Sequence, residues 1–257
     1  MDITSLQNPR IKQLVKLRDD KKQRELEKMI LVEGWDEISL ALAAGHHPHT
    51  LLISPELTNR QYDIDSTEIL TVPQAVFEKV SYRENPDGWL AVFPTPSNLL
   101  PDIKLSTVPF LIVAESIEKP GNLGAILRTA DAAGVDAILV SDPHTDIYNP
   151  NVVRASRGTL FTVPIVDLSN MDAFNFLQDH RINILAATPQ AEAEYSQQDL
   201  NRPLAIAVGT EDKGLSDFWL QKAAIKVRIP MVGKVNSLNV SIATAVIVYE
   251  ARRQRSL

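Results

Sequence analysis

Cysteine is absent from the 257 residues. That excludes disulfides, thiolate nucleophiles, Cys-ligated zinc and iron–sulfur clusters together. No apolar run approaches the roughly 20 residues that a membrane span needs. The opening stretch MDITSLQNPRIKQLVKLRDD has no apolar core of the secretory type. The expectation is a soluble, cytoplasmic protein that needs no membrane. An excess of positive charge is missing too. Lys and Arg number 26 against 32 Asp and Glu, a net of −6, which argues against coating nucleic acid by charge alone but permits a local basic patch. The glycine signatures of nucleotide folds also fail. The turn Pro120-Gly121-Asn122-Leu123-Gly124 lacks the G-x-G-x-x-G spacing, and there is no P-loop, H-E-x-x-H or G-x-S-x-G. His46, His47 and His49 cluster without a carboxylate at ligand spacing, so they read as a polar loop.

What remains is ordinary globular material, 44% apolar and 23% charged, long enough for one large domain or two ordinary ones. Residues 10–28 carry a local net of +4, with Ile11, Leu14 and Leu17 at helical spacing. This predicts one helix over 10–28 that is either a solvated face or a contact for a polyanion. Short apolar strands then alternate with helices through GWLAVF, describing a small α/β unit over 1–95. The stretch PTPSNLLPDIKLSTVP holds four prolines and reads as a linker, placed at 96–107. Residues 108–257 alternate again, with five or six strands. That predicts a mostly parallel sheet covered on both faces.

Three loops that follow strands in the second half carry the chemistry. In EKPGNLGAILRTA two glycines flank Asn122-Leu123, and Arg128 follows on a helix with apolar neighbours. AVGTEDKGLS ends a strand at Gly209 and turns through polar residues to Gly214, where parallel-sheet proteins hold ligands. RIPMVGKVNSLNVSIATAVIVYE ends a strand at Pro230 and opens a helix at Ser237, a natural N-cap. That helix is apolar on two faces and must bury both. A second subunit is the economical partner for one of them.

Together and in this order, P-G-N-L-G-A-I-L-R-T-A (Pro120 to Ala130), V-G-T-E-D-K-G-L-S (Val208 to Ser216), and I-P-M followed by S-L-N-V-S (Ile229 to Ser241) resemble the SpoU (TrmH) family of RNA ribose 2′-O-methyltransferases within the SPOUT superfamily. The first ninety or so residues are similar to that family's ribosomal-protein-like substrate-binding domain, although the turn before GWLAV reads Asn85-Pro86-Asp87-Gly88 where the family commonly has T-P-Q-G.

The resemblance implies an α/β trefoil-knot domain behind a small α/β RNA-binding domain. It implies S-adenosylmethionine as cofactor, no metal, and a homodimer acting on RNA, with rRNA placed ahead of tRNA. It also implies a cofactor pocket from Gly209, Thr210, Glu211, Gly214, Ile229, Met231, Ser237 and Leu238. The implied catalytic set is Arg128, Asn122, Glu211, Ser237 and Asn239, with Arg128 reaching across the dimer and Arg154 a lesser phosphate contact. Two rivals remain: a catalytically inactive RNA-binding relative, and a SPOUT enzyme that methylates a base. The intact polar set argues against the first, and the NLGAILR and SLNVS pair against the second.

Overall fold

In the computed structural model, which describes residues 2–60, 67–97 and 99–255, the basic opening stretch folds as two helices rather than one. These are α1 (Pro9–Asp19) and α2 (Lys21–Glu27). The break has a local cause. Asp20 adopts an extended conformation and its carboxylate accepts from the Lys22 N–H, so it caps α2 instead of continuing α1. Two arginines of the stretch then serve the fold. Arg24, only 5% exposed, donates to the carbonyls of Leu17 and Arg18 at the end of α1. Arg18 donates to the carbonyls of Lys79, Val80 and Ser81. Each answers orphan carbonyls at a helix end.

The chain divides into two units, Met1–Ser97 with Tyr148–Thr162, and Asn98–Ile147 with Val163–Leu257. In the first, β1 (Met29–Glu33) leads to α3 (Trp35–Ala43), β2 (Thr50–Ile53), β3 (Glu68–Thr71), α4 (Gln74–Val80) and β4 (Trp89–Pro94). The sheet runs β1-β4-β2-β3, antiparallel except for β2 with β3. Ile11, Leu14 and Leu17 of α1 and Val76, Phe77 and Val80 of α4 bury against Leu31, Leu52, Leu70, Leu90 and Val92 on one sheet face. In the departing turn Asp87 accepts from the Trp35 and Trp89 N–H groups, and Gly88 takes a positive φ of 84°.

In the second unit come β5 (Phe110–Glu115), α5 (Pro120–Ala133) and β6 (Ala137–Ser141). The chain then runs through α6 (Pro150–Ser156) to β7 (Ile165–Leu168), α7 (Asn170–Asp179), β8 (Asn183–Ala187), β9 (Leu204–Val208), α8 (Asp217–Lys222), β10 (Ile225–Val227) and α9 (Val240–Arg255). Six strands pair in the order β10-β8-β9-β5-β6-β7, every pair parallel. One face, through Leu111, Val113, Ala205 and Ala207, packs on Ala173, Phe176 and Leu177 of α7 and Trp219 of α8. α5 and α9 pack on each other, with α9 against β9. The proline-rich stretch is partly built into this unit: Leu100, Ile103 and Leu105 lie against its core. Asn98, inside the expected linker, lies outside the described residues.

Residues 148–162, kept with the second half by the strand–helix alternation, belong to the first unit. α6 packs on β1, burying Val152 and Val153. Phe161, expected at the start of a strand, sits in a short 3-10 turn with its ring 5.1 Å from that of Phe93. Among the described residues no helix is long and apolar enough to cross a membrane.

Candidate functional site

Strands β5 and β9 are neighbours, Ala114 opposite Val208, so their C-terminal ends deliver two of the three loops side by side. After β9 the chain closes a tight turn. Thr210 and Gly214 exchange both backbone hydrogen bonds at 3.0 Å, and the Lys213 N–H donates to Thr210 Oγ1 at 3.1 Å. Gly214 takes φ +71°. A Cβ at Gly209 would stand 2.1 Å from the Gly214 carbonyl oxygen, so only glycine lets the turn fold back this closely.

After β5, α5 starts at Pro120 with Lys119 as its N-cap residue, and it ends at Gly134 in the left-handed conformation. Leu123, Gly124, Ile126, Leu127 and Ala130 are buried, leaving Lys119, Asn122 and Arg128 outside that face. The third segment enters α9. Its cap is Asn239, two residues after the cap expected at Ser237. Asn239 Oδ1 accepts from the Ser241 N–H at 3.0 Å and from its hydroxyl at 2.7 Å. Ser237 lies exposed in the loop before it.

Glu211 joins all three segments. Its Oε1 accepts from Asn122 Nδ2 and, at 3.3 Å, from Asn239 Nδ2. Its Oε2 pairs with Lys119 Nζ. Asn239 Nδ2 also donates to Asn122 Oδ1 at 3.2 Å. The Lys119 ammonium, and then the Asn122 amide, hold the Glu211 carboxyl below the usual range, and Glu211 raises Lys119 in return. Glu211 is therefore a carboxylate at neutral pH, with donors on both oxygens.

Beneath this cluster lies a cavity of about 520 Å³, within the range of small-molecule sites. Gly209, Thr210, Glu211, Gly214, Ile229, Met231, Ser237 and Leu238 all line it. Val208, Leu215, Val227 and Ile247 supply further apolar wall, and Thr188, Gln190 and Asn236 supply polar groups. A backbone-rimmed apolar slot of this kind suits a flat nucleobase with a polar tail. The donor set thus fits an adenosyl cofactor.

Of the residues expected at the reacting centre, the structure brings together Asn122, Glu211 and Asn239, and puts Ser237 in the cavity wall. It does not bring Arg128 to them. Six helical residues beyond Asn122, Arg128 is displaced by roughly 9 Å along α5 and roughly 240° around it. It is exposed and pairs with no side chain among the described residues. Arg154, on α6, belongs to the first unit, where it donates to Asn151 Oδ1 at 2.9 Å.

The sequence reading missed Lys119, although a cation next to Pro120-Gly121-Asn122 was in plain view. It also missed Glu115. Buried at the end of β5, Glu115 accepts from the Ser216 N–H and hydroxyl at 2.8 and 2.6 Å and from Asn170 Nδ2 at 3.0 Å, tying the β9 turn to α7 from below.

The sequence model of the SpoU rRNA Methylase family matches residues 109–249, and that of an MRM3-like substrate binding domain matches residues 8–91. A 23S rRNA guanosine 2′-O-methyltransferase of Bacillus subtilis is 29% identical, over 97% of this chain and 98% of its own. The crystal structure of an RNA 2′-O ribose methyltransferase superposes with a TM-score of 0.88 at 40% identity over the whole of both chains. An AdoMet-bound rRNA methyltransferase from Sinorhizobium meliloti superposes with a TM-score of 0.88 at 29% identity, over 98% of this chain and 97% of that one.

Proposed function

The chain belongs to the SpoU rRNA methylase family, and from that premise we infer that it is an S-adenosylmethionine-dependent enzyme methylating a ribose 2′-hydroxyl of rRNA. The observation that carries this reading is one cavity lined by the loops that follow β9 and β10, with Glu211 on its wall tying them to the head of α5.

When bound, S-adenosylmethionine supplies a methyl group already activated by a positive sulfur, for in-line attack by the ribose oxygen. The chain must then align the two reactants and manage one proton. We assign the alignment to the turn at Gly209–Gly214 and to Ile229, Met231, Ser237 and Leu238. Asn122, Glu211 and Asn239 hold the loops in register. Arg128 grips the phosphate and the 2′-oxygen of the target nucleotide. A guanidinium is protonated at any working pH, so Arg128 stabilises developing negative charge and the proton leaves to phosphate or water.

Because Arg128 faces away from the cluster of its own chain, we place it at the site of a second copy, making the enzyme a homodimer. Ile242 and Tyr249, both half exposed, with Val246 between them, form an outward apolar stripe on α9, beside α5. The first unit we read as the RNA holder, with Lys12 and Lys16 exposed one turn apart on α1. The trefoil knot belongs to the same reading. Its support is that β9 inserts between β8 and β5 while the entry to α9 returns to the β9 turn. Acting on rRNA, the enzyme works where ribosomes are built, in the cytoplasm.

Two measurements test the assignment. S-adenosylmethionine in EDTA should raise the melting temperature by mass action on the folded state. Labelled methyl should then pass to a ribose 2′-oxygen of 23S rRNA in preference to tRNA. Label on a base, or binding without transfer to any RNA, would remove the assignment.

A further inference from the structure

We propose that Lys119 is a positioning residue for methyl transfer, fixing the Glu211 carboxylate in the one orientation that serves both Asn122 and Asn239. The proposal rests on the methyltransferase reading above. A carboxylate has two equivalent oxygens and turns readily about its last bond. Here the oxygens have different work: both amides converge on Oε1, and among the described residues the Lys119 ammonium alone holds Oε2. Lys119 and Asn122 stand three residues apart at the head of α5, a spacing that puts both side chains on one side of the helix. They reach Glu211 from the same direction, while Asn239 reaches it from the cap of α9.

Removing the ammonium would free Oε2 to trade places with Oε1. The amides would then follow a rotating acceptor, and the β9 turn would lose its fixed tie to α5. The Lys119 side chain is 68% exposed against 25% for Glu211, so the pair adds little to global stability. Its effect belongs to the rim of the cavity. The amides of Asn122 and Asn239, the cap of α9, donate to the same carboxylate oxygen and also meet each other, which spreads one local rotation over three loops. The competing role for a cation here is direct contact with an RNA phosphate.

Lys119→Met keeps the stem and removes the charge. On rRNA substrate we expect kcat to fall about tenfold, the scale of a charge-assisted tie lost at a preorganised site. The KM for RNA and its salt dependence should stay within about twofold, and the melting temperature should barely move. In the Glu211→Gln background, Lys119→Met should cost nothing further, because a residue acting through Glu211 has nothing left to hold. An active wild type matched by Lys119→Met overturns the proposal. So does a loss that resides in RNA KM, flattens the salt dependence and adds to Glu211→Gln, since Lys119 would then be a phosphate contact. A wild type that transfers no methyl defeats the methyltransferase reading itself, and this proposal with it.

Discussion

At position 209 a single methyl group decides whether the β9 turn can exist, since a Cβ would overlap the Gly214 carbonyl. Gly209→Ala should therefore open the turn and weaken S-adenosylmethionine binding about tenfold or more, near 1.4 kcal/mol. Far-UV circular dichroism should stay native, and calorimetric titration reads the affinity. Arg128 is the opposite case, an exposed side chain with no ion-pair or side-chain hydrogen-bond partner among the described residues of its own chain. Arg128→Lys keeps the charge and loses the planar fork that can hold two oxygens. Methyl transfer should fall about 10²-fold, the usual scale for one preorganised stabilising donor, with cofactor affinity unchanged. Single-turnover assays beside calorimetry separate the two. Most of the site was legible at this scale, because Asn122, Glu211 and Asn239 sit inside ordered motifs and do meet in space. Lys119 was not, because surface lysines are common and only the geometry gives this one a partner on the β9 turn.

Among the elements, the basic opening shows why a count of charges overstates a binding face. Arg18 and Arg24 are spent on helix-end carbonyls, and Arg10 pairs with Glu68 at 2.5 Å. Lys12 and Lys16 remain exposed on α1. Lys12→Ala with Lys16→Ala should weaken RNA binding and reduce the salt slope by about 1.4–1.8, two contacts at roughly 0.7–0.9 each. Arg24→Ala should instead cost stability, roughly 1–3 kcal/mol for the buried bonds it abandons. Fluorescence anisotropy across a salt series and urea melts distinguish them.

The last turn of α9 carries its own pH sensitivity. Arg253, and then Gln254, lower Glu250 to about 2, and Gln254 accepts from the Leu200 N–H at 2.8 Å. A carboxylate whose folded pKa lies below its unfolded value contributes fully above about 4.5, and that contribution is lost as pH falls toward 2. After solvent screening this amounts to ~1 kcal/mol. Glu250→Gln should flatten that part of an acid-denaturation curve. Element boundaries were less legible than element types. Asp20 splits the first helix and Asn239 delays the last, both through side-chain caps that compete with hydrophobic period.

For the whole molecule, the outward stripe Ile242, Val246 and Tyr249 sets the assembly test. Val246→Glu should yield monomers in light scattering that bind S-adenosylmethionine and fail to transfer methyl. Mixing Arg128→Ala subunits with Gly209→Ala subunits should restore one working site per mixed dimer. Monomeric wild type at micromolar concentration, or no rescue on mixing, would remove the shared site. Fold class was readable from alternation because fully buried parallel strands leave unbroken apolar runs. The allocation of residues 148–162 was not, since strand–helix alternation records neighbours along the chain and never which sheet a helix returns to.

That return has a consequence for how the protein is made. The first unit is completed only at Thr162, after α6 and Phe161, 65 residues beyond Ser97. At synthesis rates of roughly 5–20 residues per second, the segment ending at Ser97 waits about 3–13 s for the rest of its unit. Over that interval the nascent chain shows the ribosome an unfinished apolar surface, just as β5, α5 and β6 are being threaded out behind it. The amino-terminal half therefore cannot close its core before residues 148–162 emerge. A fragment ending at residue 97 should be captured by chaperones, and supplying residues 148–162 as a separate peptide should release it.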